Sequence, residues 1–384
     1  VKSIRTISSC RPATAGLGLL LLASVGAAQS GSDTVVQNDN RRLRGVEVTA
    51  CDLQVVRFVQ DGRQRELPAR GVRAVVFGAL PDSMACGHAA RRRGDQAAAA
   101  QWFGMPLPAG TRPLLVQEAA FEHCRASAMA AGQDRTAAAA AALLLRQWLA
   151  AAPDGWHAPE AMLLLADLQA RAGETVAAAA MLLALIERTE HSGWVWPLRA
   201  RWQLGLQQLE QGKVEDARAL FADVVALAAT GAASAADAAS AADLRALATE
   251  AQTGLGECCL RERDFQGALA AFRHLGAAAP ELAAAAAAGT GQTLYLQHEG
   301  DRDPAALHAA QLALAEACVQ DVAGGETTAK ACYWLGRCLL ALGRAHAGEQ
   351  SRARANAYFQ LVVKQHPDSR WAAAAAQQLA TESR

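Results

Sequence analysis

The chain has 384 residues, 52% of them hydrophobic, and its 37 basic and 37 acidic side chains cancel. That length supports one large or two moderate domains, and the absence of a net field argues against a nucleic-acid binder. Aromatics make up only 5% while alanine dominates the apolar fraction, which favours closely packed helices over a thick core.

Lys2, Arg5 and Arg11 precede an apolar run from Ala13 through the Leu19 to Leu22 block to Val25, and Gly26, Ala27 and Ala28 follow it. A basic start, a short apolar centre and small residues at the exit read as a secretory signal over 1–28, cut after Ala27 or Ala28. The mature chain is then expected in the periplasm or otherwise at the cell envelope. Retention as an uncleaved anchor is the alternative, although the run is shorter than the roughly 20 residues that span a bilayer. Residues 29–44 are mostly Ser, Gly, Asp, Asn and Arg, and read as a flexible tether. Over 45–80 the apolar period becomes two, with Val46 and Val48, then Val55 to Val59, a turn at Asp61-Gly62, and Val72 to Phe77. This predicts a small antiparallel β-module of roughly three to four strands, which must dock on the first helices or on a partner to complete a core.

From 81 to 384 the pattern is helical and repeats. A first pair has Cys86-Gly87, Gly94, Ala99 and Phe103; a second turns at Gly132 and ends near Pro153; a third has Leu165-Ala166 and turns at Gly173. The clean copies are Leu204-Gly205, Gly212, Ala217, Phe221 and then Leu255-Gly256, Ala268, Phe272, Pro280. Between them the low-complexity run 229–242 reads as a loop near Gly231 followed by helix. A sixth pair covers about 281–297 and opens its second helix at Pro304. The seventh has Leu335-Gly336, Gly343, Ala355, Phe359 and Pro367, with an insertion of about two turns between Gly343 and Ala355. Asp368-Ser369 caps a closing amphipathic helix from Arg370 to Thr381. Each unit is a helix, a tight turn and a second helix, and buries its apolar face only by stacking on neighbours. The expected fold is mainly α, an α-α superhelix preceded by the small antiparallel β-module.

The small residue, turn, Ala and aromatic at these spacings resemble the tetratricopeptide repeat (TPR) family, in its irregular exported form. The resemblance implies a protein-binding scaffold in the envelope whose inner groove is lined by the first helix of each pair. Carried onto this chain, that groove comprises Arg199, Trp202, Glu250, Glu257, Arg261, Lys330, Tyr333 and Arg337. Trp202 and Trp334 equally fit the seam between helices, and Trp194 and Trp196 beside Pro197 fit a loop staple. The implied partner is a protein or peptide.

Nothing in the sequence points to catalysis, a cofactor or a metal. The histidines lie scattered without an H-E-x-x-H pair, and Gly289-Thr290-Gly291 lacks the strand and Lys-Ser/Thr of a phosphate loop. Arg91-Arg92-Arg93 falls in a last helical turn, where cations complement the dipole. Cys86 and Cys124 occupy packing positions that suit buried thiols, whereas Cys318 with Cys332 or Cys338 fits a bridge between neighbouring helices. A self-associating envelope component pairing through the β-module is the second reading of function. The third is an enzyme or glycan-binding site in the module, although Gln54 to Phe77 offers Arg57, Asp61 and Glu66 but no aromatic platform or paired carboxylates.

Overall fold

The computed structural model describes residues 32–382 other than 133, 191–194, 236, 279–281, 301–302, 322–324, 347–348 and 368. Residues 1–28, read as a signal, together with Trp194, Pro280 and Asp368, lie outside the described residues. Five strands open the chain: β1 Asp33–Gln37, β2 Arg42–Cys51, β3 Val55–Gln60, β4 Arg63–Pro68 and β5 Val72–Val76. They form one antiparallel sheet in the order β4-β3-β2-β1-β5. The sheet therefore begins within 29–44, the stretch whose polar composition suggested a tether. Composition missed it because β1 carries a single alternation, with Val35 and Asp33 both buried. The buried Asp33 counts as polar in any hydropathy reading, yet it is the latch of the module.

That latch is a four-bond carboxylate. Asp33 accepts the Val48 and Gly78 amides at 2.9 and 3.0 Å, and both terminal nitrogens of Arg112 at 2.8 Å. Burial pushes the Asp33 carboxyl up, but Arg112 and the two amides more than reverse this and hold it below the usual carboxylate range. One face of the sheet meets the first helices, where Val35, Val46, Val48, Val56 and Phe58 share a core with Met84, Phe103 and Leu115. The module has no separate core, as its size demands.

Helices follow in antiparallel pairs: α1 Asp82–Arg92 with α2 Gln96–Phe103, α3 Pro113–Ala130 with α4 Arg135–Ala151, and α5 Ala158–Ala172 with α6 Thr175–Thr189. Next come α7 Trp196–Glu210 with α8 Val214–Ser234, α9 Ala238–Arg261 with α10 Phe265–Ala278, and α11 Ala283–His298 with α12 Pro304–Gln320. The chain closes with α13 Glu326–His346, α14 Glu349–Gln365 and α15 Arg370–Glu382. Asp95, Asp134, Asp237 and Asp303 cap helices by accepting amides of their first turns, and Pro113, Pro159, Pro197 and Pro304 sit in first turns where no amide is needed. Gly212 turns the fourth pair at φ 77°, and Arg263 fills the same left-handed place in the fifth at φ 61°. An L side chain in that conformation costs on the order of 1 kcal/mol.

Two local expectations give way. The helix α8 runs through Gly231 and ends at Ser234, and α9 starts at Ala238 with Asp237 capping it through the Ser240 amide. Gly343 lies within α13, and the extra residues of the seventh pair lengthen its helices rather than its turn. Helix α8 has the length and apolar composition to cross a membrane, but its Ala217, Phe221, Val224 and Ala228 are buried in the core shared with α7 and α9.

The repeats are locked by rings on glycines. Phe221 and Phe272 are fully buried, and each touches glycines of two successive pairs. A Cβ at Gly205 or Gly254 would sit 2.8 or 2.7 Å from the Phe221 ring, and one at Gly256 or Gly289 would sit 2.7 or 2.5 Å from Phe272. The Gly289 to Gly291 cluster is therefore a packing device, with Gly291 pressed on Leu314 in the same way. At the far end Tyr333, Trp334, Phe359 and Trp371 close the stack, and α15 serves as its cap.

Cys124 is buried as its packing position suggested, but Cys86 is exposed. Cys318 of α12 and Cys332 of α13 bring their sulfurs to 3.6 Å, which selects Cys332 over Cys338 as the partner. Oxidised glutathione acting on the native protein is expected to remove two thiols and yield one peptide linked through Cys318 and Cys332. The short loop so closed stabilises by about 3 kcal/mol through the unfolded chain. Thiol titration, peptide mapping and urea melts test this, and a Cys338-linked peptide would contradict it.

Candidate functional site

A groove of about 840 Å³ opens between β5 and the first helices of the stack. One wall is the strand from Val72 to Phe77, and the other is built from α1, α3, α5, α7 and α9. Five consecutive repeats thus share one concavity.

Its floor is a charged network. Glu122 is 3% exposed and is gripped by Arg91 at 2.6 and 2.7 Å and by Arg125 at 2.7 Å to both oxygens. Burial raises the Glu122 carboxyl to about 7 against the pull of Arg91. Arg125 also reaches Glu160 at 3.3 Å. His157 stacks on Phe121 at 4.0 Å and bonds Glu118 at 2.9 Å, with Glu160 at 3.7 Å. Burial depresses the His157 imidazole, but the two carboxylates overcome it and lift it to about 9, so it is a cation at neutral pH.

The sign of the resulting pH dependence follows by linkage. The folded-state value lies above the ordinary 6.5, so this stabilisation is complete below about pH 6.5 and is lost as pH rises through about 9. Denaturant melts from pH 6 to 9.5 are expected to lose a few kcal/mol more in the wild type than in His157→Gln. Equal slopes would show that the imidazole is not a buried cation.

The eight groove residues expected from the sequence divide. Arg199 lines the groove and lies 5.6 Å over the Trp196 ring. Glu250 is raised by burial while Arg199 opposes this, so the two are neighbours in field if not in contact. Trp202 is half-buried in the seam with α8 and α9. Arg261 is exposed. Glu257 and Lys330 form an ion pair between α9 and α13, with Lys330 also 5.7 Å over Phe272. Burial raises the Glu257 carboxyl, but Lys330 outweighs it and holds it low. Tyr333 is buried, and Arg337 is held at 3.3 Å by its hydroxyl, at 3.2 Å by that of Tyr295 and at 2.7 Å by Glu299. These last four brace one repeat against another. They do not border the N-terminal groove.

What the sequence reading passed over is the same register in the first three pairs. Glu160 stands six residues before Ala166 as Arg199 stands six before Gly205, and His88 follows Gly87 as Glu257 follows Gly256. Both Glu160 and His88 line the groove. Extending the register upstream would have found them; Arg91, Glu122 and Arg125 needed the packing of α1 on α3.

Residues 331–369 match the tetratricopeptide repeat family. The chain folds as a solenoid of tetratricopeptide-like helix pairs. No curated protein matches it in sequence. Among solved structures it is similar to a tetratricopeptide repeat protein from Parabacteroides merdae, at 12% identity and a TM-score of 0.48 over 77% of this chain and 98% of that one. It is also similar to the apo form of RapI, at 12% identity and 0.47 over 74% and 97%. A Rap protein complexed with competence and sporulation factor gives 12% identity and 0.39 over 78% and 96%. The likeness is one of helical repeats alone, and the tetratricopeptide frame by itself does not name a ligand.

Proposed function

We propose that this solenoid is a non-catalytic scaffold of the cell envelope that grips a segment of a protein partner in the groove between β5 and the inner helices. The observation that carries the reading is the groove itself, one concavity walled by five successive first helices and a strand. Helix pairs of this kind offer extended recognition surfaces rather than a reaction centre. The basic and apolar composition of 1–28 supports export, and Edman sequencing of the chain recovered from cells is expected to begin after Ala27 or Ala28.

The β4 edge argues against assembly through that side of the module. Arg63, Gln64, Arg65 and Glu66 are exposed along it and Pro68 ends it, features that discourage edge-to-edge pairing.

Selection of a random peptide library on the full chain tests the groove. Recovered peptides are expected to bind about tenfold more weakly to Arg73→Ala and to Arg199→Ala, and equally well to Arg146→Ala, whose partner is Glu174 away from the groove. Peptides indifferent to the first two changes would overturn the assignment.

A further inference from the structure

The two edges of the sheet are unlike. β4 is armoured with charge, whereas β5 reads Val-Arg-Ala-Val-Val, with Val76 54% exposed. Among the described residues β5 pairs only with β1, so its other side presents a row of amides and carbonyls with no strand partner there, the template on which an added strand forms. Consecutive residues from Val72 to Phe77 all line the groove. Side chains of a strand alternate between faces, so a concavity that meets every one of them meets the strand along its edge. The inner helices stand opposite this apolar edge across a groove of about 840 Å³, a volume suited to a peptide segment.

Charge selects the segment. The groove is lined by six arginines and four carboxylates. Arg91 and Arg125 are consumed by Glu122, while Glu118 and Glu160 are answered by His157. Arg70, Arg73 and Arg92 are exposed and enter no ion pair among the described residues. Arg199 faces them from α7. Against these stands Asp243 on α9. These cations share the groove with β5, along which a neighbouring strand would lie about 4.8 Å away.

We propose that an acidic, extended segment of the partner adds to the free edge of β5 as a further strand of the sheet, its carboxylates meeting Arg73, Arg92 and Arg199. This rests on the groove being the binding site and names what fills it. Main-chain bonds supply the grip and the arginines the choice of sequence.

Two peptide libraries distinguish the proposal from the broader reading, both alternating Val, Ile, Thr or Tyr with charged positions, one using Asp and Glu, the other Lys and Arg. The acidic library is expected to enrich on the full chain and the basic one not. Methylating alternate backbone nitrogens of a selected acidic peptide is expected to weaken it at least about tenfold, since several ladder bonds are lost. Amide exchange at 72–76 is expected to slow on binding. Acidic peptides that bind regardless of N-methylation, with β5 exchange unchanged, would overturn strand addition and leave the groove reading intact. Enrichment of the basic library, or of neither while unbiased peptides still select the groove, overturns this proposal alone; failure of every library overturns both. A dimer in light scattering whose β5 amides are already protected would make a second copy the occupant and overturn it as well.

Discussion

Asp33→Ala is expected to destabilise the protein by about 3–5 kcal/mol, because it strands the partly buried Arg112 guanidinium and leaves the buried Val48 amide and the part-buried Gly78 amide without an acceptor. The effect should be regional. Asp33 joins β1 to β2 through the Val48 amide, to the end of β5 through Gly78, and to the start of α3 through Arg112. Hydrogen exchange of the variant is expected to rise across 33–76 and in the first turns of α3 while α9 to α15 keep their protection. Asp33→Asn retains the shape and one acceptor and should lose less. A urea midpoint within experimental error of wild type for Asp33→Ala would show that the carboxylate is not the latch. The same variant bears on the groove, since β5 forms one of its walls and is held in place through Gly78.

Phe272→Ala is expected to cost about 3–5 kcal/mol as well, through the cavity it leaves at the junction of the fifth and sixth pairs. The ring lies between Gly256 of its own pair and Gly289 of the next. It therefore has nowhere to retreat, and Gly289→Ala should cost about 1–3 kcal/mol by overpacking. Combining Gly289→Ala with Phe272→Leu is expected to recover part of that loss, because the smaller side chain vacates the space the new methyl needs. In a stack where each repeat contacts mainly its neighbours, the damage should appear as earlier exchange in α9 to α12 and a broadened denaturation curve rather than uniform weakening. Unchanged melting for Gly289→Ala would mean that the two pairs do not approach as closely as this packing requires.

These two sites illustrate what could be read in advance. Gly205, Phe221, Gly256 and Phe272 announce themselves by spacing, since the aromatic and the small residue it rests on lie a fixed distance apart along one hairpin. The turns at Gly94, Gly132, Gly173 and Gly212, the helix start at Pro304 and the alternation of β3 were legible for the same reason: each depends on residues near in sequence, whereas Trp196 and Pro197, expected in a loop, open α7. Gly254 and Gly289 were not read as partners of Phe221 and Phe272, because those contacts cross from one repeat to the next. Asp33 was hidden more deeply. A lone acid in a polar stretch resembles a tether until Arg112, far along the chain, comes to meet it.

The candidate site divides along the same line. Arg199 was identified from its register and does line the groove, while Tyr333, Arg337, Lys330 and Glu257 hold equivalent register positions yet are consumed by partners from neighbouring helices. Register places a side chain on the inner face of a helix; whether it stays free depends on what the adjacent repeat and the sheet bring opposite it.

What the sequence alone determined is therefore the hairpin repeat, since helix propensity, turn chemistry and the small-residue and aromatic spacing all act within about 34 residues. The tertiary structure decided how the sheet lies against the stack, which charges are neutralised and which edge remains open. Those outcomes depend on contacts between residues separated by tens of positions, and no local pattern encodes the geometry that brings them together.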